Sequence, residues 1–494
     1  MGDEGAGLTL FGILLTALVS YLILRNLLEL AVDLMALPPV RRRLLQRART
    51  KSRTSVPPER SRLLPSWPAP HPVMVGGSNR NRLACAPVAI LIPAWREAAV
   101  IGDMLEVLLR AIADEPCHVF VGWYPNDPAT ARAARRADPQ AGRVTLVRLP
   151  HDGPTSKADC LNHLYRRACE DPRRFAFVVL HDAEDIVAPG EISLLRRALI
   201  DGAAMAQVPV LPDVGWRFSP IAHHYADEFA DMHSRTLPVR ALLTGSVPSA
   251  GVGTAITVEA LRGLAVTRGG RPFDPDSLTE DYELSLALAR TGAKGVFVSH
   301  AARASTNEKP ARAWTRGWAP VICVRECFPA QLAAAVRQKA RWMIGIALQT
   351  PRRHGLFGTP VQRIFLLHDR MMIANALIDA LCAGLCLAVL IGILFKITPS
   401  AVHAGDGFAM PWLGWMAAIN GLFLLHRLLV RIWLGARRYG WRFALGVPWR
   451  QFAGVAINAA AAVRALRIYR RHRRSRAPLV WDKTEHRLPL VAAE

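Results

Sequence analysis

The sequence predicts an α/β fold, a mostly parallel sheet with helices on both faces, joined to about three transmembrane helices. Short apolar runs alternate with helical segments between residues 88 and 180. Polar and charged residues follow those runs, at the edge of a parallel sheet where ligands bind. Three further stretches near the two ends carry almost no charge over about twenty residues, enough to cross a bilayer.

The first run, Val88-Ala89-Ile90-Leu91-Ile92-Pro93, is a compact strand, and Ala94-Trp95-Arg96-Glu97 follows it. Residues 98–112 place Val100, Met104, Val107, Leu108 and Ala111 at the spacing of one helix face. A second strand over 118–123 ends in the turn Tyr124-Pro125-Asn126-Asp127. The third covers 144–149, and Ser156-Lys157-Ala158-Asp159-Cys160-Leu161-Asn162 then opens a helix. The fourth, 175–180, is an unbroken apolar run, as in strands buried on both faces. It ends at His181-Asp182-Ala183-Glu184-Asp185. This alternation calls for a mostly parallel sheet, with Glu97, Asp127, Lys157 and Asp182 each following a strand.

Clustered carboxylates at that edge suit a hard divalent cation holding a phosphate. Asp182 is one ligand. Glutamate is one methylene longer than aspartate, so either Glu184 or Asp185 reaches the cation as the second. A hundred residues on, Thr279-Glu280-Asp281 supplies another carboxylate. Asp281 reads as a general base or as a cap on the helix 282–290, and the two roles can coexist. Gln338-Lys339-Ala340-Arg341-Trp342, in a helix over 332–346, sets a cation beside an aromatic face. That pair suits an anionic leaving group and a sugar ring. Metal, base and sugar platform together describe transfer from a nucleotide sugar. His181, His223 and His224 lack ligand-spaced partners and read as ordinary polar contacts.

A net charge of +23 invites a nucleic-acid reading. Much of the excess, however, sits in 41–53 and 464–476, both beside hydrophobic stretches. No helix-turn-helix, zinc-finger or RNA-recognition pattern accompanies it. Basic residues flanking apolar segments are the ordinary topology signal and favour anionic headgroups, so the expected partner is a membrane and not nucleic acid. The eight cysteines form no C-x-x-C pair, and they read as reduced structural thiols.

Residues 5–24 carry no charge; Asp3 and Glu4 precede them and the arginines follow. That order describes an uncleaved anchor with its N-terminus outside, since a signal peptide carries positive charge first. Two more spans are expected at 372–395, with the single charge Asp379, and at 407–425. The loop 396–406 holds one lysine and no arginine, whereas Arg427, Arg431, Arg437 and Arg438 follow the last span. Positive-inside counting therefore keeps the central region and the C-terminus in the cytosol. The shorter patch 452–463 reads as a helix in the headgroup plane or as one buried against the soluble domain. Residues 55–81, rich in Pro, Ser and Arg, read as a linker.

The motifs, in order, resemble the membrane-bound family 2 glycosyltransferases. Pro93-Ala94-Trp95-Arg96-Glu97 is similar to the first-strand motif at the nucleotide. Lys157 through Asn162 is similar to the Lys-x-x-x-x-Asn element, and Asp182-Ala183-Glu184 stands where the family has D-x-D. Thr279-Glu280-Asp281 resembles its T-E-D base motif and Gln338–Trp342 its Q-x-x-R-W motif. Family members often bring backbone close to the acceptor at a turn like Gly251-Val252-Gly253-Thr254. Arg325-Glu326-Cys327-Phe328-Pro329 and the tail Val480-Trp481-Asp482-Lys483-Thr484-Glu485-His486 resemble an inner-membrane subgroup, the bacteriophage-adsorption protein B glycosyltransferases. Longer members of that subgroup append a C-terminal regulatory domain.

The resemblance implies a GT-A-type, Rossmann-like catalytic domain. It implies Pro93, Trp95, Glu97, Asp127, Lys157 and Asp182 at a UDP-sugar, with Mg2+ or Mn2+ at Asp182 and Glu184 or Asp185. Gln338, Glu280, Asp281, Arg341 and Trp342 then carry catalysis with inversion. The expected acceptor is a growing polysaccharide or a lipid-linked sugar, at a bacterial inner membrane with the catalytic domain cytosolic. The expected division is an anchor (1–37), a basic linker (38–86), the catalytic domain (87–330), interface helices (331–371), two spans (372–431) and a basic cytosolic segment (432–494). If polymer is exported, a second copy or partner subunit completes the conduit, and Asp379 faces protein or water. The alternative is an inactive membrane scaffold or surface-receptor component that keeps the fold.

Overall fold

The computed structural model describes residues 2–54, 83–140, 142–215, 219–300, 321–395 and 411–475. The expected linker (55–81), the loop 396–406, the first residues of the third expected span (407–410) and the tail motif lie outside the described residues.

Two helices open the chain, α1 (Gly2–Ala36) and α2 (Pro38–Thr54), so the basic block after the anchor is helical. The central region then runs β1 (Val88–Pro93), α3 (Ile101–Ala111), β2 (Cys117–Trp123), α4 (Pro128–Ala137), β3 (Val144–Arg148), α5 (Lys157–Cys169) and β4 (Phe177–Leu180). It continues through α6 (Glu191–Ile200), β5 (Met205–Gln207), β6 (Val210–Pro212), α7 (Pro220–Asp231) and α8 (Leu237–Thr244). Next come β7 (Thr254–Thr257), α9 (Val258–Thr267), α10 (Glu280–Arg290), β8 (Gly295–Phe297) and β9 (Val324–Glu326). The remainder is helical: α11 (Leu332–Met343), α12 (Thr350–His354), α13 (Pro360–Arg370), α14 (Met372–Leu394), α15 (Pro411–Tyr439), α16 (Trp441–Ala444) and α17 (Val447–Ser475).

Seven strands form one sheet in the order β3-β2-β1-β4-β7-β5-β8. β1 pairs in parallel with both β2 and β4, so Leu91 stands opposite Phe120 and Leu180. Only β7 runs antiparallel to its neighbours. The sheet is covered on both faces, which explains the unbroken apolar runs. Ile90 and Ile92 pack with Ile101, Met104 and Leu108 of α3 on one side. Ala89 and Leu91 pack with Leu161 and Leu164 of α5 on the other. Because β7 is reversed, its first residue, Thr254, lies opposite Leu180 at the end of β4. The glycine turn before β7 therefore meets the acidic segment after β4 at one edge of the sheet.

Among the described residues, three helices are long and apolar enough to cross a membrane: Gly12–Ala36, Gly414–Tyr439 and Val447–Ser475. A bent pair, Pro360–Arg370 with Met372–Ala388 at 58°, makes a fourth if counted as one span. The first span thus extends past the expected 5–24 to include Arg25, Glu29 and Asp33. Those charges are compatible with an apolar environment because they are paired. Arg25 donates to Asp379 at 2.7 Å, Tyr21 to Asn375 at 2.5 Å and Asn26 to Asn420 at 3.2 Å. Asp379 accordingly faces protein.

The patch 452–463 belongs to the 29-residue helix α17. One side of this helix packs against the soluble domain. Gly454 lies against His224 of α7, and Ala461, Ala462 and Ala465 are buried with Ala340 and Met343 of α11. Arg450, 1% exposed, grips Asp227 with two hydrogen bonds at 2.7 and 2.9 Å. A buried arginine at the head of the helix, which reads in sequence as its boundary, is thus an internal tie.

Candidate active site

The turn after β1 is held by hydrogen bonds from its own backbone. Arg96 adopts φ +55°, an uncommon conformation for a side-chain-bearing residue, and its N–H donates to Asp127 Oδ2 at 2.6 Å. The next N–H, of Glu97, donates to Thr130 Oγ1 at 2.9 Å. Asp127 precedes α4 but makes no side-chain cap bond, so its carboxylate serves this turn instead. Trp95, 6% exposed, packs edge-on against Tyr124 with centroids 5.1 Å apart. A side chain at Gly153 would meet the Trp95 ring at 2.7 Å, and Asn126 brackets Gly153 with hydrogen bonds of 2.7 and 2.9 Å. Pro93, Trp95, Glu97 and Asp127 are therefore gathered at one end of the sheet.

The acidic segment after β4 divides by direction. Asp182 turns toward Lys157, whose Nζ lies 2.6 Å from Oδ1. Asp185 turns inward: its Oδ2 accepts from the Asp182 N–H and pairs with His181 Nδ1, both at 3.0 Å. His181 Nε2 lies 3.1 Å from Glu191 at the start of α6, and all three side chains are wholly buried. His181 is therefore no ordinary polar contact. Burial opposes its charge, but Glu191 and Asp185 outweigh that and raise its pKa to about 10. His223 and His224 do contact backbone carbonyls, of Val214 and Ile221 respectively. Asp185 is itself pushed up to about 7, first by burial. Its Oδ1 is buried without a hydrogen bond among the described residues.

Lys157 is the hub. Beyond Asp182, its Nζ reaches Glu280 Oε1 at 3.9 Å and the Gly251 carbonyl at 3.4 Å. Burial works against its charge, yet Asp182, Glu280 and Asp281 hold it protonated. Asp281 closes the far side: a Cβ on Gly251, at φ +81°, would lie 2.7 Å from Asp281 Oδ2 and 3.3 Å from Lys157 Nζ. Only glycine fits there. Asp281 Oδ1 accepts from the Tyr282 N–H at 2.7 Å, while the cap residue of α10, Thr279, makes no side-chain cap bond. Burial and the Asp281 charge raise Glu280 to about 7. Burial likewise raises Asp281, against the pull of Lys157.

Asn162 binds the same assembly from behind. Its amide donates to the Phe273 carbonyl at 2.8 Å and accepts from the Phe273 N–H at 3.1 Å. It thereby fastens the segment leading to Glu280 and Asp281 onto the helix that begins with Lys157.

Helix α11 ends earlier than expected, at Met343, and passes into a π-helical stretch, Ile344–Gln349. Within it Gly345 lies so close to Thr279 that no Cβ could stand there. Arg341 is near enough to lower the pKa of both Glu280 and Asp281. Its Nε, like Gln338 Oε1, is buried with no hydrogen bond among the described residues. Trp342 is partly buried in an aromatic nest, 6.0 Å from Tyr225, 6.3 Å from Phe229 and 6.4 Å from Phe328.

Two further residues complete the cleft, Gln207, which no motif singles out, and Glu326, which lies in the run Arg325–Pro329. Gln207, at the end of β5, donates to Val252 and Val208 carbonyls and accepts from the Ala250 N–H and the Thr254 hydroxyl. It holds the glycine turn in shape. Glu326, at the end of β9, has its carboxyl pushed well up by burial and by Asp185, Glu184 and Asp182, which places it beside the acidic segment. Crowded oxygen donors, with Asp185 Oδ1 unsatisfied, are the donor set of a hard divalent cation. The unsatisfied Arg341 Nε is the kind of donor an anionic diphosphate engages.

Residues 86–345 match the family model described as glycosyltransferase like family 2. The chain is 35% identical over 418 residues to bacteriophage adsorption protein B of Escherichia coli (strain K12), covering 83% of this chain and 56% of that protein. The same figures hold for bacteriophage N4 adsorption protein B of Escherichia coli O157:H7. The chain thus spans about half the length of the curated relatives it matches. Among solved structures, it is similar to the mannosyltransferase PcManGT from Pyrobaculum calidifontis in complex with GDP-Man and Mn2+. That likeness has a TM-score of 0.45 and 18% identity over 79% of this chain and 93% of that one. Glucosyl-3-phosphoglycerate synthase from Mycobacterium tuberculosis, in complex with Mn2+, UDP and phosphoglyceric acid, gives a TM-score of 0.30 at 18% identity, over 48% and 74%. With the family model matched over more than half of its length, and its motifs meeting in one cleft, the chain belongs to glycosyltransferase family 2.

Proposed function

We propose that this protein is an inverting transferase that moves a sugar from a UDP-sugar to a growing polysaccharide or lipid-linked acceptor at a bacterial inner membrane. The observation that carries the reading is the convergence on Lys157, which joins Asp182, Glu280 and the Gly251 carbonyl and faces Asp281 across the glycine turn. Trp95, Glu97, Asp127 and Pro93 form the nucleotide end. A Mg2+ or Mn2+ ion, held by Asp182 with Glu184 or Asp185, would neutralise diphosphate charge.

Asp281 takes the proton from an acceptor hydroxyl. That oxygen forms the new bond to the anomeric carbon from the face opposite the diphosphate. The old carbon–oxygen bond breaks, and its electron pair leaves with the diphosphate, whose charge Lys157 and Arg341 offset. One base and a single displacement invert the anomeric centre. A carboxylate raised by burial, as Asp281 is, is a stronger base than a solvated one.

Acceptor access fits the apolar helices, since α17 packs on α11, which carries Gln338, Arg341 and Trp342, and α14 packs on α17. The catalytic domain is cytosolic in this reading, and an exported polymer passes through a conduit completed by a second copy or a partner subunit. Membranes containing the full chain, supplied with a panel of radiolabelled UDP-sugars and Mg2+ or Mn2+, test the proposal. Incorporation from one donor into polymer or lipid is the expected result. UDP protection without turnover for any donor would favour the inactive scaffold.

A further inference from the structure

Outside the acidic cleft, the loop after β3 and the first turns of α5 bring together His151, Asp159 and His163. Asp159 and His163 stand one helical turn apart on α5, so they share a face, and His151 reaches them from the loop. His151 Nε2 lies 3.2 Å from Asp159 Oδ2, and His163 Nε2 lies 3.9 Å from Asp159 Oδ1. All three donor atoms lie within 4.8 Å of one another. Ligands about 2.0–2.1 Å from a tetrahedral ion stand roughly 3.3–3.5 Å apart, so side-chain rotations alone bring this set onto one cation.

The donor chemistry differs from that of the cleft. Two imidazoles and a carboxylate suit a borderline cation of the zinc class, whereas the all-oxygen set at Asp182 suits a hard one. The carboxylate also has the outer support that metal ligands carry. Thr155 Oγ1 donates to Asp159 Oδ2 at 3.0 Å and lies 2.7 Å from the Tyr124 hydroxyl. Because Thr155 spends its proton on Asp159, it accepts from Tyr124, the residue against which Trp95 packs.

We propose that His151, Asp159 and His163 form a transition-metal site of the zinc class, separate from the acidic cleft, that fastens the loop after β3 to the helix beginning at Lys157. Three protein ligands leave a fourth position for water. The site rests on its own geometry and holds whatever sugar the cleft transfers.

The test uses the full chain in detergent, free of any histidine tag, stripped of metal and then saturated with Mg2+ to occupy hard-cation positions. Co2+ titration reads the site directly. One equivalent should produce the intense visible absorption of a four-coordinate ion, and Zn2+ should abolish it. The His151→Ala/His163→Ala variant should lose Co2+ affinity by more than about 100-fold. If that variant folds poorly, Asp159→Asn, which still accepts from Thr155, should weaken Co2+ binding while UDP still raises its melting temperature. Absence of the band in the unaltered protein, or a band of equal strength in both variants, would overturn the site.

Discussion

The catalytic cleft and the junction between α7 and the long apolar helices are both rich in buried carboxylates, but they are balanced differently. At the junction each acid has met a cation. Asp231 pairs with Arg235 at 2.7 Å and with Arg427, Arg235 also reaches Glu29 at 2.7 Å, and Asp227 is clasped by Arg450. Burial alone would raise the pKa of Glu228, but Lys339 outweighs it and the group falls to about 2. Only Asp227 stays raised, because burial there exceeds the pull of Arg450. In the cleft, Asp182, Glu280 and Asp281 share Lys157, and Glu280 rises to about 7. Saturated charge ties helices to a domain. Surplus negative charge, held in place by the fold, suits a cationic ligand or a proton to be transferred.

Breaking the saturated region should have the largest effect. Arg450→Ala strands Asp227 in the interior and should cost about 3–5 kcal/mol of stability, visible as a lowered melting temperature in detergent. Replacing both partners, Arg450→Met with Asp227→Leu, should recover most of that loss. A double variant as unstable as the single one would mean the pair does more than neutralise charge.

In the cleft the same logic predicts lost turnover with little loss of stability. Gly251→Ala forces a methyl into the 2.7 Å approach to Asp281 Oδ2 at a positive φ. Displacing a reacting group by about 1 Å can lower turnover by about 100-fold, while the left-handed backbone costs roughly 1–2 kcal/mol. Steady-state kinetics beside a melting curve separate the two, and an unchanged turnover would detach the turn from the base.

The smallest effect is on pH. Glu280 and Asp281 are coupled carboxyls raised by burial, Glu280 to about 7. The acid limb of kcat/KM should therefore lie above the ordinary carboxylate range of about 4. The sign for stability is the reverse of an ion-paired acid. Between about 4.3 and 7 the folded state holds more protons than the unfolded one, so this pair makes the protein less stable as pH rises. A limb near 4 would mean that the cleft is as well balanced as the junction.

How much of this is written in the sequence depends on the length of each signal. Strands β1 and β4 stand out because both faces of the sheet are covered and their apolar runs are unbroken. β5, β6, β8 and β9 are three residues each, too short for any periodicity, and with β5 Gln207 escapes notice, while Glu326 shows only through the resemblance of the run that contains it. The motif residues Lys157, Asp182, Glu280 and Asp281 were legible as chemistry, and the reversed β7 is what brings them together. His181 misleads because its partner Glu191 lies at the start of the next helix, at no ligand spacing. α17 misleads because Arg450 reads as a boundary when Asp227 is invisible. In both cases the missing term is a partner that sequence spacing does not reveal.

The central claim is that Asp281 is the base of a sugar transfer, and Asp281→Asn tests it most directly, with turnover and UDP binding measured on the same preparation. The amide keeps the shape and the contact to the Tyr282 N–H but accepts no proton. Turnover should fall by about 100- to 10,000-fold, with UDP affinity nearly unchanged. Substantial sugar transfer by that variant, with UDP bound as before, would contradict the account.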